Sequence, residues 1–344
     1  MQVNNALHHK EQLFFNTFAS HLNKKEENMK QAKIIVLGFQ TPIGQAILEQ
    51  LAIHNYPFDQ IFLLDPKKVH EKQFYQGEEK HVIAFDSFDW KSPFIVLICD
   101  KEAFSICPQK PLPKNSWAID CTGLFSKSQA IIPQFNLNKI KKSKKHILCS
   151  PTSLTVILCH ILSDLIKYKP IKTRIIALVG TSFLSSENAE KLRQQTRSVY
   201  TQIPVLIKHN QPPLAFNIIP QIPTEKSQAC SHQLKQILNL SNDFRHCFVP
   251  VFRGFCLFIS CTLNQKIKHP KDIWKNNPFI HVMDLKDGPF ILSTAATISE
   301  TKVFITDIKY HANNLSFWVV GDDIQTGLTL NTIHIIDTLI KNFI

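Results

Sequence analysis

KIIVLGFQTPIG, Lys33 to Gly44, is the stretch that decides the fold of this chain. Its first half is a nearly continuous apolar run ending in glycine. Such a run fits a strand buried on both faces, since a half-exposed strand would alternate polar and apolar residues. Beyond it, Ile43, Ile47 and Leu51 recur at spacings of three to four, the period of a helix with one apolar face. Thr41 is placed to cap that helix, and Pro42 to fill its first turn, where a missing N–H costs nothing. The turn Gly38 to Gly44 is a loose echo of the G-x-G-x-x-G dinucleotide fingerprint, in which glycine lets the backbone approach a pyrophosphate. From the loop alone two readings stay open: a phosphate cradle built on Gly38, Thr41 and Gly44, or an ordinary strand-to-helix turn.

The same kind of apolar run returns at IFLL (61–64), FIVLIC (94–99), WAIDC (117–121) and HILC (146–149). Strands of this type alternating with helical patterns predict a parallel sheet covered on both faces, a Rossmann-like α/β unit. After residue 150 the pattern changes. Leu154 to Ile166 reads as a helix, TRIIALVG (173–180) as a strand, and 187–199 as an amphipathic helix. LAFNIIP (214–220) reads as extended and 225–240 as helical. CFVPVF and CLFISCTL (within 247–263), KVFITDIKY (302–310) and LSFWVV (315–320) read as strands. Clustered strands with few helices between them predict an α+β unit. Ile333, Ile336, Ile340 and Phe343 close the chain with one apolar helix face. The expected division is a polar extension over 1–30, a Rossmann-like domain over 31–151 completed by a C-terminal helix over 325–344, and an α+β domain over 152–324.

Composition narrows the function classes. With 44% apolar and 19% charged residues in 344, the chain is globular. Its nine cysteines are odd in number, irregularly spaced and without a C-x-x-C pair, so buried free thiols in a reducing cytosol are expected. Neither a disulfide framework nor a metal site is expected. The apolar run Leu154 to Ile166 is broken by His160 and Asp164 and is too short to cross a bilayer. A cytoplasmic protein without a membrane partner follows. The net charge of +12 peaks at KIKKSKKH, Lys139 to His146. With no helix-turn-helix, zinc-finger or RNP-like pattern beside it, this run reads as a solvated loop, and no nucleic-acid partner is expected. Only 9 glycines are present where about 24 would be average, which tells against a glycine-rich phosphate loop.

Four segments then fall in a familiar order: SPTSLT (150–155), AFNIIPQIP (215–223), VPVFRG (249–254) and FWVVGDDIQTG (317–327). Together they resemble the aspartate-semialdehyde dehydrogenase family from about residue 33 to the end, AFNIIPQIP being the most specific. IDCTGLF (119–125), SLT (153–155) and FDW (88–90) are similar to that family's Usg-type paralogue group. The resemblance implies a Rossmann-like domain joined to an α+β domain of catalytic and dimerisation type, and a homodimer formed through the latter. In the active enzymes, which serve amino-acid biosynthesis, it implies a cysteine that attacks the aldehyde. Hydride then passes to NADP, and phosphate cleaves the acyl-enzyme.

Carried over position by position, the resemblance places that cysteine at Ser153, an orienting glutamine at Thr181, a substrate-binding arginine at Phe248 and the base histidine at Phe255. A phosphate-binding arginine falls at Ser126. A serine hydroxyl without an adjacent base is a weak nucleophile. These departures imply a pseudoenzyme with an interaction or scaffold role, its partners being a second copy of itself and an active paralogue. Ser153 is then expected as a helix cap or first-turn residue. The competing expectation is a working NAD(P)-dependent aspartate-semialdehyde dehydrogenase. The segment matching the family's second cofactor-side glycine pair, ICDKEAF (98–104), holds no glycine, and the asparagine beside the nicotinamide falls at Asp323. Asp65 would oppose a 2′-phosphate while able to accept a ribose hydroxyl. NAD or NADP binding through Gly38, Thr41 and Gly44 is accordingly expected to be vestigial, weak or absent.

Overall fold

A computed structural model of the chain describes residues 32–65, 71–105, 112–123, 125, 130–143, 146–184, 186–203, 212–220, 225–283 and 292–343. The polar extension over 1–30 lies outside the described residues, as does Ser126. Two seven-stranded sheets organise the rest.

The first sheet runs β3-β4-β2-β1-β5-β6-β7, with β1 Lys33–Leu37, β2 Ile61–Leu64, β3 Lys72–Tyr75, β4 Glu78–Ile83, β5 Phe94–Ile98, β6 Trp117–Asp120 and β7 Ile147–Cys149. All neighbours are parallel except the antiparallel hairpin β3–β4. Every residue of β5 and β6 is buried, as a sheet covered on both faces requires. Helix α1 (Pro42–Ile53) packs Ile47, Leu48 and Leu51 on one face. Ile333, Ile336, Leu339 and Ile340 of the last helix join that same core.

Helix α2 (Ser153–Ser163) leads into the second sheet, and all nine residues from Leu154 to Leu162 are buried. A helix apolar on every side is one packed on every side. The second sheet runs β12-β13-β14-β11-β8-β10-β9. Its strands are β8 Pro170–Val179, β9 Ile219–Pro220, β10 Asn242–Phe248, β11 Phe255–Leu263, β12 Ile280–Val282, β13 Val303–His311 and β14 Asn314–Gly321. The pairs β8–β10 and β12–β13 are parallel and the others antiparallel. Strand β11 alternates buried and half-buried residues without a break, so only one face of this sheet is covered. Helices α3 (Ser186–Thr201) and α4 (Glu225–Leu238) belong to this part. A seven-residue π-helix, Asp323–Thr329, runs directly into α5 (Leu330–Asn342).

Three expectations need correction. The helix expected over 154–166 begins at Ser153 and stops at Ser163, after which Ile166–Tyr168 makes a separate 3₁₀ turn. LAFNIIP is not extended throughout: only Ile219–Pro220 pairs as strand, while Ala215 and Phe216 form a turn. The reason is local, because Gln195 Oε1 accepts from Leu214 N (2.6 Å) and Ala215 N (3.1 Å), donors a ladder would have used. Within CFVPVF only Cys247 and Phe248 are strand, and β10 starts five residues earlier, at Asn242.

Candidate functional site

The Gly38 loop leaves β1 at the carboxyl edge of the parallel sheet, where ligands of doubly wound folds bind. Gly38 has φ +79°, and a Cβ there would run into Asp100. A Cβ at Gly44 would run into the Gly38 carbonyl and Phe39 Cα. Both glycines are thus demanded by the packing of strand against helix. Thr41 caps α1: its hydroxyl donates to Gly38 O (2.8 Å) and accepts from Gly44 N (3.1 Å), with Pro42 in the first turn.

A dinucleotide carries phosphates, and the loop offers them little. Thr41 spends its hydroxyl inside the turn. Strands β2 and β5 flank β1, so the residues following them, Asp65 and Asp100, stand on either side of Gly38. Gln40 is hydrogen-bonded to the carboxylate of Glu71. Carboxylates around a spent hydroxyl do not fit a pyrophosphate.

Ser153 occupies the first turn of α2, and the N-cap is its neighbour Thr152, whose hydroxyl accepts from Thr155 N. Gln233 Oε1 holds this turn from α4 by accepting from Thr152 N (3.2 Å) and Thr155 Oγ1 (2.9 Å). Among the described residues the Ser153 hydroxyl has no hydrogen-bond partner. No base is engaged with it. Cys149, four residues before, is buried at the end of β7, and burial raises its thiol well above the ordinary range. Burial in that state leaves a thiol unreactive.

Thr181 follows β8 and is fully buried. Its N–H reaches Val251 O (2.9 Å) and its hydroxyl Phe252 O (2.9 Å). Phe248 is buried against Leu192 and Leu214, and Phe255 belongs to the main core of the second sheet. The Phe255 ring lies over Gly321 across the β11–β14 pair, where a glycine Cβ would meet it at 3.0 Å. Both phenylalanines are structural fillers in this geometry. His246 is also buried, with its ring 6.0 Å from that of Phe183.

Sequence reasoning missed the strongest polar group in this region. Asp322, 0% exposed, is paired with Arg253: Nε donates to Oδ1 at 2.9 Å, and Nη2 lies 2.8 Å from Oδ2 as an ion-pair contact without hydrogen-bond geometry. It also accepts from Ser299 N, Ile324 N and Gln325 N. Asp323 accepts from Ser182 Oγ (2.9 Å) and Gly254 N (3.1 Å). The adjacent acids of GDDIQTG, ahead of an apolar helix, were the available signal. Arg253 is therefore committed to fixing loops. Among the described residues no group of three or more His, Cys, Asp or Glu side chains could hold a metal, and no helix is long and apolar enough to cross a membrane.

A family model described as "Semialdehyde dehydrogenase, dimerisation domain" matches residues 165–326. Aspartate-semialdehyde dehydrogenases of Rickettsia bellii and Rickettsia conorii are each 24% identical to the chain, over 92% of its length and 99% of theirs. Along nearly its whole length the chain is similar to the aspartate-semialdehyde dehydrogenase family. Solved structures repeat its fold. Aspartate semialdehyde dehydrogenase II from Vibrio cholerae has a TM-score of 0.78 at 18% identity, covering 91% of this chain and 100% of that one. The Francisella tularensis protein of the same name has a TM-score of 0.68 at 17% identity, covering 89% and 99%. At such identities the structures speak for the fold alone.

Proposed function

We propose that this chain is a catalytically inactive, Usg-like member of the family with a non-catalytic, interaction or scaffold role. One observation carries the reading. Phe248 and Phe255, at the positions assigned to the arginine and histidine, are both buried in apolar cores. A core ring can neither grip a carboxylate nor move a proton, and loss of one such group typically costs orders of magnitude in rate. The flanking acids of the Gly38 loop favour weak or absent dinucleotide binding. The test is phosphate-dependent reduction of NADP with aspartate semialdehyde. Rates at the buffer background support the proposal, and turnover on an enzymatic scale overturns it. The second reading, a working NAD(P)-dependent dehydrogenase, is favoured by similarity along the whole length of curated enzymes, and the same assay decides it.

The proposal includes a homodimer. Among the described residues, one face of the second sheet lacks a cover. On that face Ile176 (47% exposed) is in register with Phe258, and Phe258 with Trp318, their rings 5.1 Å apart. Leu178 and Cys256 form the next row. An apolar sheet face of this kind suits a second copy, and an active paralogue built on the same fold would fit it too. The proposed division, 31–151 with 325–344 against 152–324, is supported by cores that largely segregate by sheet, one on each face of the first and a main one on the second.

A further inference from the structure

Four aromatic rings from four different segments meet where the two cores adjoin. Phe135, on the helical turn Pro133–Asn136, lies 5.2 Å from His160 of α2. His160 stacks on Phe279 at 3.9 Å and 26°. Phe279, just before β12, meets His334 of α5 edge-on at 5.6 Å and 87°. The helix bearing His334 is packed into the first core, whereas His160 and Phe279 belong to the side of the second. The stack therefore spans the seam. Two hollows border it. One of about 440 Å³ is lined by Gln134, Leu137, His334 and Lys341, and one of about 260 Å³ by His54, Phe279, Lys302 and Leu330.

We infer that the Phe135–His160–Phe279–His334 stack is an acid-released latch between the two cores, closed while both imidazoles are neutral. A neutral imidazole packs as an aromatic ring, while an imidazolium at His160, the buried member of the stack, demands solvation that its ring neighbours cannot give. The groups facing the two histidines do not supply it. From α1 comes His54, a further basic ring. From α5 comes Asp337, which accepts from Tyr56 OH at 2.7 Å, and beyond it Lys341. Gln134 is paired with His334 Nδ1 at 2.7 Å. Asp164, at the end of α2, accepts from Asn277 Nδ2 at 2.8 Å, and Lys302 lines the smaller hollow. Asp337 alone favours the charged form of His334, and burial outweighs it.

Burial, then the neighbouring His334, pushes His160 down to about 4 from its ordinary 6.5. An opened seam restores the ordinary value and so binds protons more readily than the closed one. Closure is then fully favoured above about pH 6.5, and the preference is lost as pH falls toward 4. Protonation of His160 alone would raise the opening equilibrium on the order of thirtyfold at pH 5.

The test is hydrogen exchange at pH 7.5 and 5.0, corrected for intrinsic rates, on the full chain and on His160→Phe, which keeps a ring without the titration. In the native chain, opening of 277–283 and 330–336 should rise at least tenfold on acidification. In His160→Phe it should rise less than threefold. An equal acid response in the two, or none in the native chain, overturns the inference. Should the variant fail to fold, an NMR titration of the native His160 ring decides alone: a midpoint near 4 to 5 supports the latch and one near 6.5 overturns it. Neither readout depends on catalysis, so the outcome is separate from that of the proposed function.

Discussion

Gly327 of the π-helix rests directly on Ser153, so that a Cβ at Gly327 would come within 2.8 Å of both the Ser153 Cβ and its carbonyl oxygen. The start of α2 and the approach to α5 are therefore packed at backbone distance. Gly327→Ala should lower stability by about 1–3 kcal/mol, because the obstructing atoms include backbone that cannot swing aside. Urea unfolding checks this, and an unchanged midpoint would show that the two helices are farther apart.

Ser153→Cys should restore no activity. The new thiol would sit in the first turn of α2, where a helix N-terminus favours thiolate. Acyl transfer still lacks its proton relay and carboxylate grip, since Phe248 and Phe255 remain. Phosphate-dependent NADP reduction should stay at background. Measurable turnover in this single variant would show that the phenylalanines do not close the site.

Arg253→Ala should destabilise the fold by about 2–4 kcal/mol. Asp322 would keep its three backbone donors while losing its paired cation inside the protein. The Arg253 side chain is 28% exposed, so the lower end of that range is the expectation. Arg253→Lys should recover only part of the loss, as a lysine cannot make the paired geometry. Equal stability of all three proteins would reduce the pair to a surface contact.

Millimolar NAD or NADP should leave the melting temperature unchanged. A ligand binding only the folded state at a hundred times its Kd would add about 2.7 kcal/mol, a shift of several degrees. A concentration-dependent rise with either nucleotide would reinstate the Gly38 loop as a cradle.

Ile176→Glu should convert a dimer to a monomer in light scattering, since it places a charge in the middle of the uncovered sheet face. A native chain that is already monomeric would instead remove the proposed interface.

The strands buried on both faces, β1, β2, β5, β6 and β7, were legible because each is one short apolar run. The hairpin β3–β4 was not. KQFY and EEKHVI are largely exposed, so their polar side chains hide the pairing. The first half of β10 was hidden for a related reason, as Asp243 and Arg245 point to its uncovered face. Within the candidate site, the assignment of Ser153, Thr181, Phe248 and Phe255 to catalytic positions rests on resemblance to a family, since nothing in their local pattern marks them. The Arg253–Asp322 pair joins residues 69 positions apart, and no local pattern announces such a partner. The same holds for the ring stack, whose members span Phe135 to His334.

The Phe255 ring over Gly321 also bears on which changes these two strands tolerate. A histidine at 255 would put a polar ring into the apolar core of the second sheet and leave a poorer fit over the glycine. Any side chain at 321 would press on the ring itself. The aromatic lid thus ties residue 255 to residue 321, so that a change at either is tolerated only with an answering change at the other.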